Sequence, residues 1–141
     1  MKVKNADELI GLGEKFGARL KGGETIELIG DVGAGKTTFV KGVAAALGVD
    51  PADVQSPSFT ISRNYPARGG LILNHYDFYR LTDAGIMARE IAESLSDPRA
   101  ITIVEWSDAV KSVLPPDRIV IRISYLAQSD GRAVEFSPPI F

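Results

Sequence analysis

Apolar and polar residues along the chain alternate with two periods, and the periods predict the order of helices and strands. Leu9, Leu12, Phe16 and Leu20 are spaced by three, four and four residues, which is typical of one face of an amphipathic helix. Asn5, with a glutamate three residues later, is a good N-cap for this helix, and we expect Gly22-Gly23 to end it. Residues 25–29 follow as a short apolar strand.

The remainder of the chain repeats this succession of strands and helices. A helix with Phe39, Val40, Val43 and Leu47 on its buried face is predicted to end at Gly48. Apolar and polar residues alternate strictly over 59–65 and 71–80, and the segment PARGG separates the two stretches, which predicts a hairpin. Further segments are predicted as a helix over 83–95, a strand over 100–104, a brief helix over 107–114, and paired strands over 118–126 and 132–136. We therefore predict an α/β layered domain with a mixed, parallel plus antiparallel, central sheet.

Composition restricts the class of protein without defining its chemistry. The 141 residues are 45% hydrophobic and 24% charged, as in an ordinary globular chain, and we expect one domain over 1–141. A net charge of −2 argues against a surface that binds nucleic acid by releasing counterions. The absence of cysteine excludes disulfides, thiolate catalysis and cysteine zinc sites. With no long apolar run, the sequence predicts a cytoplasmic protein without a membrane partner.

The segment between the first strand and the second helix carries the strongest chemical signal. Gly30, Gly35, Lys36 and Thr37 satisfy the pattern G-x-x-x-x-G-K-[ST] of a phosphate-binding loop, in the strand-to-helix context that this motif requires. Glycines let backbone N–H groups point inward where a side chain would collide with phosphate oxygens. The predicted nucleotide-binding residues of this loop are Gly30, Asp31, Val32, Gly33, Ala34, Gly35, Lys36, Thr37 and Thr38.

Several classes of nucleotide-binding protein share such a loop. GTPases carry N-K-x-D and D-x-x-G motifs, and neither string occurs in this sequence. A small-molecule kinase usually has an arginine-bearing lid, and the arginines near 81–98 are sparse. This kinase class remains the main alternative, and a nucleotide-sensing module that hydrolyses nothing is a second.

Three further strings follow the loop: VQSPSF at 54–59, NHYDFYR at 74–80 and IVEWSD at 103–108. In this order after GDVGAGKTT, they resemble the motifs of the TsaE family (formerly YjeE), small P-loop ATPases of bacterial tRNA threonylcarbamoyladenosine synthesis. The resemblance runs from about Asp7 to about Arg132 and implies a P-loop NTPase-like fold. It also implies Mg²⁺ as cofactor, ATP as substrate and the TsaB–TsaD heterodimer as partner, with tRNA contacted indirectly through that complex.

The resemblance also implies roles for individual residues. Glu105 matches the family's metal-side acid and shares the metal with the Thr37 hydroxyl, whereas Asp77 matches a catalytic aspartate and Lys36 contacts the phosphates. Arg132 matches an arginine near the nucleotide, and Leu9 stands where a base-contacting threonine is expected. Residues 56–59 would form a loop near the γ-phosphate, with Ser58 in place of threonine.

Three assignments stay open between chemistry and packing. Trp106 belongs either to the active-site surroundings or to the core. The single histidine, His75, is interpreted as a packing residue or as a partner of Asp77, because one histidine cannot form a multi-histidine zinc site. Arg80 is either a transition-state charge or part of a surface salt bridge. The implied activity is an ATPase, weak alone, that supports repeated turnover of the modification complex.

Overall fold

The computed structural model describes residues 1–31, 33–55, 62–79, 85–127 and 129–141, apart from the side chain of Ile86. The strands are β1 (Lys2–Val3), β2 (Thr25–Ile29), β3 (Ser62–Pro66), β4 (Ile72–Asp77), β5 (Ala100–Glu105), β6 (Ile119–Tyr125) and β7 (Arg132–Ser137). The helices are α1 (Ala6–Gly17), α2 (Lys36–Ala46) and α3 (Gly85–Ser96), with 3₁₀ turns at Pro51–Asp53, Arg68–Gly70 and Ser107–Val113.

The described strands form one seven-stranded sheet in the order β1-β7-β6-β2-β5-β4-β3. β6, β2, β5 and β4 run parallel, while β3, β7 and β1 are added in antiparallel orientation at the two sides. The predicted α/β class with a mixed sheet is confirmed, and so are the hairpin of β3 with β4 and the pairing of β6 with β7. All six residues of β5, at the centre of this part of the sheet, are buried because helices cover both of its faces.

Two apolar clusters fill the space between the sheet and the helices. One joins α1 and α2 to the face formed by residues such as Ile26, Leu28, Ile103 and Ile121. The other joins α3 and the Ser107–Val113 turn to the opposite face; its buried members are Tyr76, Phe78, Ile91, Val104, Val110 and Leu114. The side chains of β4 and β5 therefore alternate between the α2 side and the α3 side of the sheet.

Helices α1 and α2 approach each other closely through glycines. A Cβ atom added to Gly42 would lie 2.1 Å from the Ile10 carbonyl oxygen, and one added to Gly13 would lie 2.4 Å from the Phe39 oxygen. A side chain larger than hydrogen at either position would hold the two backbones apart. This contact fixes α1 against the helix that follows the glycine-rich loop.

The structure differs from the sequence-based prediction in the end of α1, in the type of helix after β5 and in an additional first strand. The N-cap prediction is confirmed, because Asn5 Oδ1 accepts from the Glu8 amide at 2.9 Å, but α1 ends at Gly17 and does not continue to Gly22-Gly23. The amides of Arg19 and Leu20 bond the carbonyls of Phe16 and Gly17 with 3₁₀ spacing, which closes the helix early. Residues 107–113 form 3₁₀ turns, and the two-residue strand β1 carried no sequence signal. Predicted positions 59–61 and 80–84 lie outside the described residues.

No helix in the described part of the chain is long and apolar enough to cross a membrane.

Candidate functional site

The glycine-rich loop joins the carboxyl end of β2 to the first turn of α2, at the edge where parallel sheets gather binding groups. Gly33 and Gly35 have φ angles of 80° and 110°, in the left-handed region that favours glycine. The Ala34 amide bonds the Asp31 carbonyl at 3.0 Å, and the Phe39 amide bonds the Gly35 carbonyl at 2.9 Å. The loop therefore turns sharply and delivers the chain into the helix at Lys36.

Packing supplies a reason for these glycines that the sequence did not suggest. A Cβ at Gly30 would lie 2.6 Å from the Ile123 carbonyl oxygen, and one at Gly35 would lie 2.6 Å from Leu9 Cδ2. At Gly33 it would lie 2.8 Å from the Tyr125 hydroxyl. The absent side chains would thus also meet the protein's own atoms, and the predicted collision with phosphate oxygens stays a prediction at these three positions.

The Lys36 side chain is buried, with 7% of the residue exposed, and its ammonium is surrounded by three groups. Its Nζ donates to the Gly30 carbonyl, lies 3.7 Å from Glu105 Oε1 and sits 4.1 Å from the centre of the Trp106 ring. A carboxylate, a carbonyl and an aromatic face each favour a cation. The loop lysine and the acid at the end of β5 therefore belong to one site.

Glu105 and Asp77 end neighbouring parallel strands and face each other in register. Both are buried, with 3% and 4% of each residue exposed. The Asp77 Oδ1 accepts from the Tyr79 amide at 3.0 Å, in the turn that follows β4. The structure thus places the two predicted acids side by side at the edge of the sheet that carries the loop.

His75 is fully buried, and its Nε2 lies 2.5 Å from Glu105 Oε2. The interpretation of this histidine as a partner of Asp77 is therefore corrected, because its ring hydrogen-bonds the acid of the next strand. In the register of β4 with β5, His75 is opposite Ile103, so Glu105 is its diagonal neighbour on the α2 side of the sheet. Alternation within one strand could not reveal this contact.

The donors available to a metal suit magnesium held together with a nucleotide. Thr37 is the second residue of α2 and is partly buried beside Lys36. Among the described residues no group of three or more histidine, cysteine, aspartate or glutamate side chains could hold a metal ion. Mg²⁺ at a phosphate loop takes one or two protein oxygens and completes its shell with phosphates and waters. The hydroxyl of Thr37 and the carboxylate of Glu105 fit that requirement.

The turn after Glu105 is held by a buried acid that the sequence analysis did not single out. Glu27 in β2 accepts hydrogen bonds from Ser107 Oγ and from Arg118 Nε, the latter at 2.8 Å. Burial raises the pKa of the Glu27 carboxyl, but these two hydrogen bonds and the nearby cations Arg118 and Lys111 outweigh it, so the pKa lies below its ordinary value. The sequence did contain an indication of this contact, because a glutamate within the otherwise apolar strand TIELI requires a buried hydrogen-bonding partner.

Trp106 occupies the border between the site and solvent. Its φ of 53° makes it a non-glycine residue in the left-handed region, directly after the strand that carries Glu105. The half-buried ring contacts Tyr79 edge-on, at 4.9 Å between ring centres, and faces Lys36. Of the two alternatives, a core residue or a residue of the active-site surroundings, the structure favours the second.

The side chain of Arg132 contacts the backbone of the glycine-rich loop. Its Nε donates to the Ala34 carbonyl at 2.8 Å, and its guanidinium stacks over the Tyr125 ring at 4.4 Å. Leu9, at the position expected to contact the base, is buried with its Cδ2 beside Gly35.

A cavity of about 470 Å³ opens beside the glycine-rich loop and the turn that follows β5. Its lining includes Gly30, Asp31, Lys36, Trp106, Lys111 and Arg122.

The remaining predicted residues divide into two groups. Thr38 continues the first turn of α2, next to Thr37. Val32, residues 56–59 and Arg80 lie outside the described residues, so their predicted places near the phosphates stay predictions.

Comparison with known proteins gives concordant matches over almost the full length. The family model described as "Threonylcarbamoyl adenosine biosynthesis protein TsaE" matches residues 3–134. The tRNA threonylcarbamoyladenosine biosynthesis protein TsaE of Bacillus subtilis (strain 168) is 35% identical over 137 residues, covering 96% of this chain and 83% of the relative. The protein of the same name from Aquifex aeolicus (strain VF5) is 35% identical over 128 residues, covering 90% and 87%.

A solved structure agrees with this match. The crystal structure of Bacillus subtilis YdiB superposes with a TM-score of 0.73 at 32% sequence identity, over 96% of this chain and 82% of that chain.

Proposed function

The chain belongs to the TsaE family of threonylcarbamoyl adenosine biosynthesis proteins, and from this premise we propose that it is a Mg²⁺-dependent ATPase. It binds ATP on the loop of residues 30–38 and hydrolyses it in support of tRNA N6-threonylcarbamoyladenosine modification. The observation that carries the proposal is the convergence of Lys36 and Glu105, 3.7 Å apart, at the carboxyl ends of β2 and β5. A cation and an acid so placed are the parts that phosphoryl transfer requires around its phosphates and metal.

Each residue has a distinct task in this proposal. Lys36 neutralises charge on the phosphates, and the amides at the start of α2 add hydrogen-bond donors with the positive end of the helix dipole. Thr37 and Glu105 would hold the metal, directly or through water, and Mg²⁺ bound there would supply positive charge to offset that of the phosphates. Asp77, buried beside Glu105, orients the attacking water. Arg132 keeps the Ala34 carbonyl turned out of the loop.

We further propose that the ATPase acts with the TsaB–TsaD heterodimer and contacts tRNA only through that complex. The net charge of −2 supports a protein partner over direct binding of tRNA. ATP hydrolysis then serves repeated turnover of the complex and not the transfer of the threonylcarbamoyl group. The cytoplasmic location predicted from the sequence stays a prediction.

Phosphate release from ATP with Mg²⁺ tests the proposal, measured for the protein alone and with TsaB–TsaD. Lys36→Ala is the inactive variant, and Lys41→Ala, five residues further along α2, is the matched control for loss of a lysine. We expect partner-stimulated release that is abolished by Lys36→Ala and kept by Lys41→Ala. Equal release with and without partners contradicts the partner proposal, and phosphoryl transfer to a small metabolite would establish the kinase alternative.

A further inference from the structure

Among the described residues, His75 is a fully buried ionisable side chain beside the site to which the proposed mechanism gives no task. The residue is 0% exposed, on the face of β4 that also carries Asp77, so its ring does not reach solvent. Among the described residues its Nε2 contacts Glu105 Oε2, and its Nδ1 has no hydrogen-bond partner. The ring therefore makes its hydrogen bond in one direction, toward the acid at the end of β5.

Glu105 has two oxygens with different neighbours. Oε2 faces His75 at 2.5 Å, whereas Oε1 faces the Lys36 ammonium at 3.7 Å. A carboxylate at the end of a side chain with three rotatable bonds has many orientations, and a hydrogen bond to one oxygen removes most of them. With Oε2 bonded to His75, Oε1 is held on the side of the loop lysine.

We propose that His75 is a positioning residue that fixes the Glu105 carboxylate, donating from Nε2 to Oε2 and leaving Oε1 directed at the phosphate loop. The inference rests on the proposed function, because it is Glu105 that the mechanism uses. Groups that orient a metal-side ligand typically change metal affinity or activity 10–100-fold when they are removed. The buried Nδ1 without a described partner agrees with a ring retained for one contact and not for a network.

Variants of His75 can separate this role from packing. In His75→Gln the amide nitrogen is as many bonds from Cβ as the imidazole Nε2, so a donor still reaches Glu105. In His75→Asn the donor is one bond shorter and corresponds to Nδ1, and in His75→Leu the volume is similar but no donor remains. Donor reach thus differs between the variants while each keeps a side chain in the pocket, and urea unfolding identifies those that fold.

We expect His75→Leu and His75→Asn to lower the rate constant for phosphate release 10–100-fold and to raise the Mg²⁺ concentration for half-maximal rate, with KM for ATP changed less than about threefold. His75→Gln should stay within about threefold of the unmodified protein. Mn²⁺ binding in the presence of a non-hydrolysable ATP analogue, followed by electron paramagnetic resonance, should weaken in the same order. Equal effects of the glutamine and leucine variants would overturn the inference, since packing alone does not distinguish them.

A second readout needs no nucleotide and separates failure of the inference from failure of the proposed function. Trp106 is the only tryptophan of the chain, adjoins Glu105 and faces Lys36. Release of the carboxylate should therefore change the emission of the free protein in His75→Leu and not in His75→Gln. If the unmodified protein releases no phosphate under any condition, the ATPase proposal fails, yet this pattern still supports the positioning role. Unchanged emission in His75→Leu contradicts that role whatever the activity.

Discussion

The substitution Gly42→Ala tests the close approach of α1 and α2 described above. The new methyl group would lie 2.1 Å from the Ile10 carbonyl oxygen and 3.0 Å from the Glu14 nitrogen and the Gly13 Cα. Ordinary carbon–oxygen contacts are about 3.3 Å or longer. All three neighbours are backbone atoms, so no side chain can rotate away, and the helices must separate by about 1 Å.

Two opposing contributions determine the size of the effect. Alanine is better than glycine in a helix interior by about 1 kcal/mol. Overpacking a tight contact costs about 1–3 kcal/mol, and we take the upper end because the obstacle is backbone. Gly42→Ala should therefore lower the free energy of unfolding by about 2 kcal/mol. For a chain of this length that corresponds to a decrease in Tm of about 6 °C.

Gly11 provides the matched control on the partner helix. A Cβ at Gly11 has no atom within 4 Å, so Gly11→Ala keeps the gain in helix propensity without the collision. It should raise the free energy of unfolding by about 1 kcal/mol. Urea unfolding of both variants measures the difference, about 3 kcal/mol in total. Equal stability of the two alanine variants would show that the helices are not in backbone contact at Gly42, and the reasoning would be refuted.

Three further predictions concern the site. Asp77→Ala and Glu105→Ala should each reduce phosphate release close to the level of Lys36→Ala. Asp117→Ala, which removes an exposed acid, should leave phosphate release unchanged. Normal release by Asp77→Ala or by Glu105→Ala would remove that residue from the mechanism. Arg132→Lys loses the Nε donor to the Ala34 carbonyl and should weaken ATP binding, measured by calorimetry, about 5–10-fold. Arg89→Lys is the control and should bind ATP with unchanged affinity. Unchanged affinity of Arg132→Lys would show that the loop does not need this hydrogen bond. Glu27→Gln should lower the free energy of unfolding by about 2–4 kcal/mol at pH 7, because Arg118 loses its buried partner. Since the folded pKa of Glu27 is lowered from 4.5, this contribution is present above that pH and is lost as the pH falls through the folded pKa; a difference between the two proteins that stays constant from pH 7 to pH 3 contradicts the assignment.

Local patterns predicted most of the helices and strands but not the points where distant segments meet. The helical spacing of Leu9, Leu12 and Phe16 is a property of adjacent residues, and it located α1 correctly. Gly17, its last residue, packs directly on α2, since a Cβ there would lie 2.9 Å from the Ala46 Cβ and from the Val43 oxygen. β1 is a strand through its pairing with β7, in which Lys2 is opposite Ala133 and Val3 is opposite Arg132. Such effects have no local signal.

The residues of the candidate site likewise divide into those predicted from local patterns and those found only in the structure. The phosphate loop and the acids Asp77 and Glu105 were identified from motifs, and the carboxyl ends of parallel strands explain why they converge. The contact of His75 with Glu105 depends on the register between β4 and β5, which no pattern within either strand specifies. The role of Glu27 required knowing that Ser107 and Arg118 lie over β2. Motifs therefore predicted the residues to which the proposal gives a role, whereas the groups that support them required the structure.

The strand order also affects the time at which the site can form during synthesis. β2, which leads into the phosphate loop, is paired on one side with β5 and on the other with β6, where Ile26 is opposite Ile119. Neither partner has left the ribosome when the loop itself emerges, because both are encoded far downstream. Contacts of such large sequence separation form slowly, since the intervening chain must first be closed into a loop. The nascent glycine-rich loop thus remains without its framework until β6 has been made, and we expect the proposed nucleotide site to form only after that strand has been synthesised.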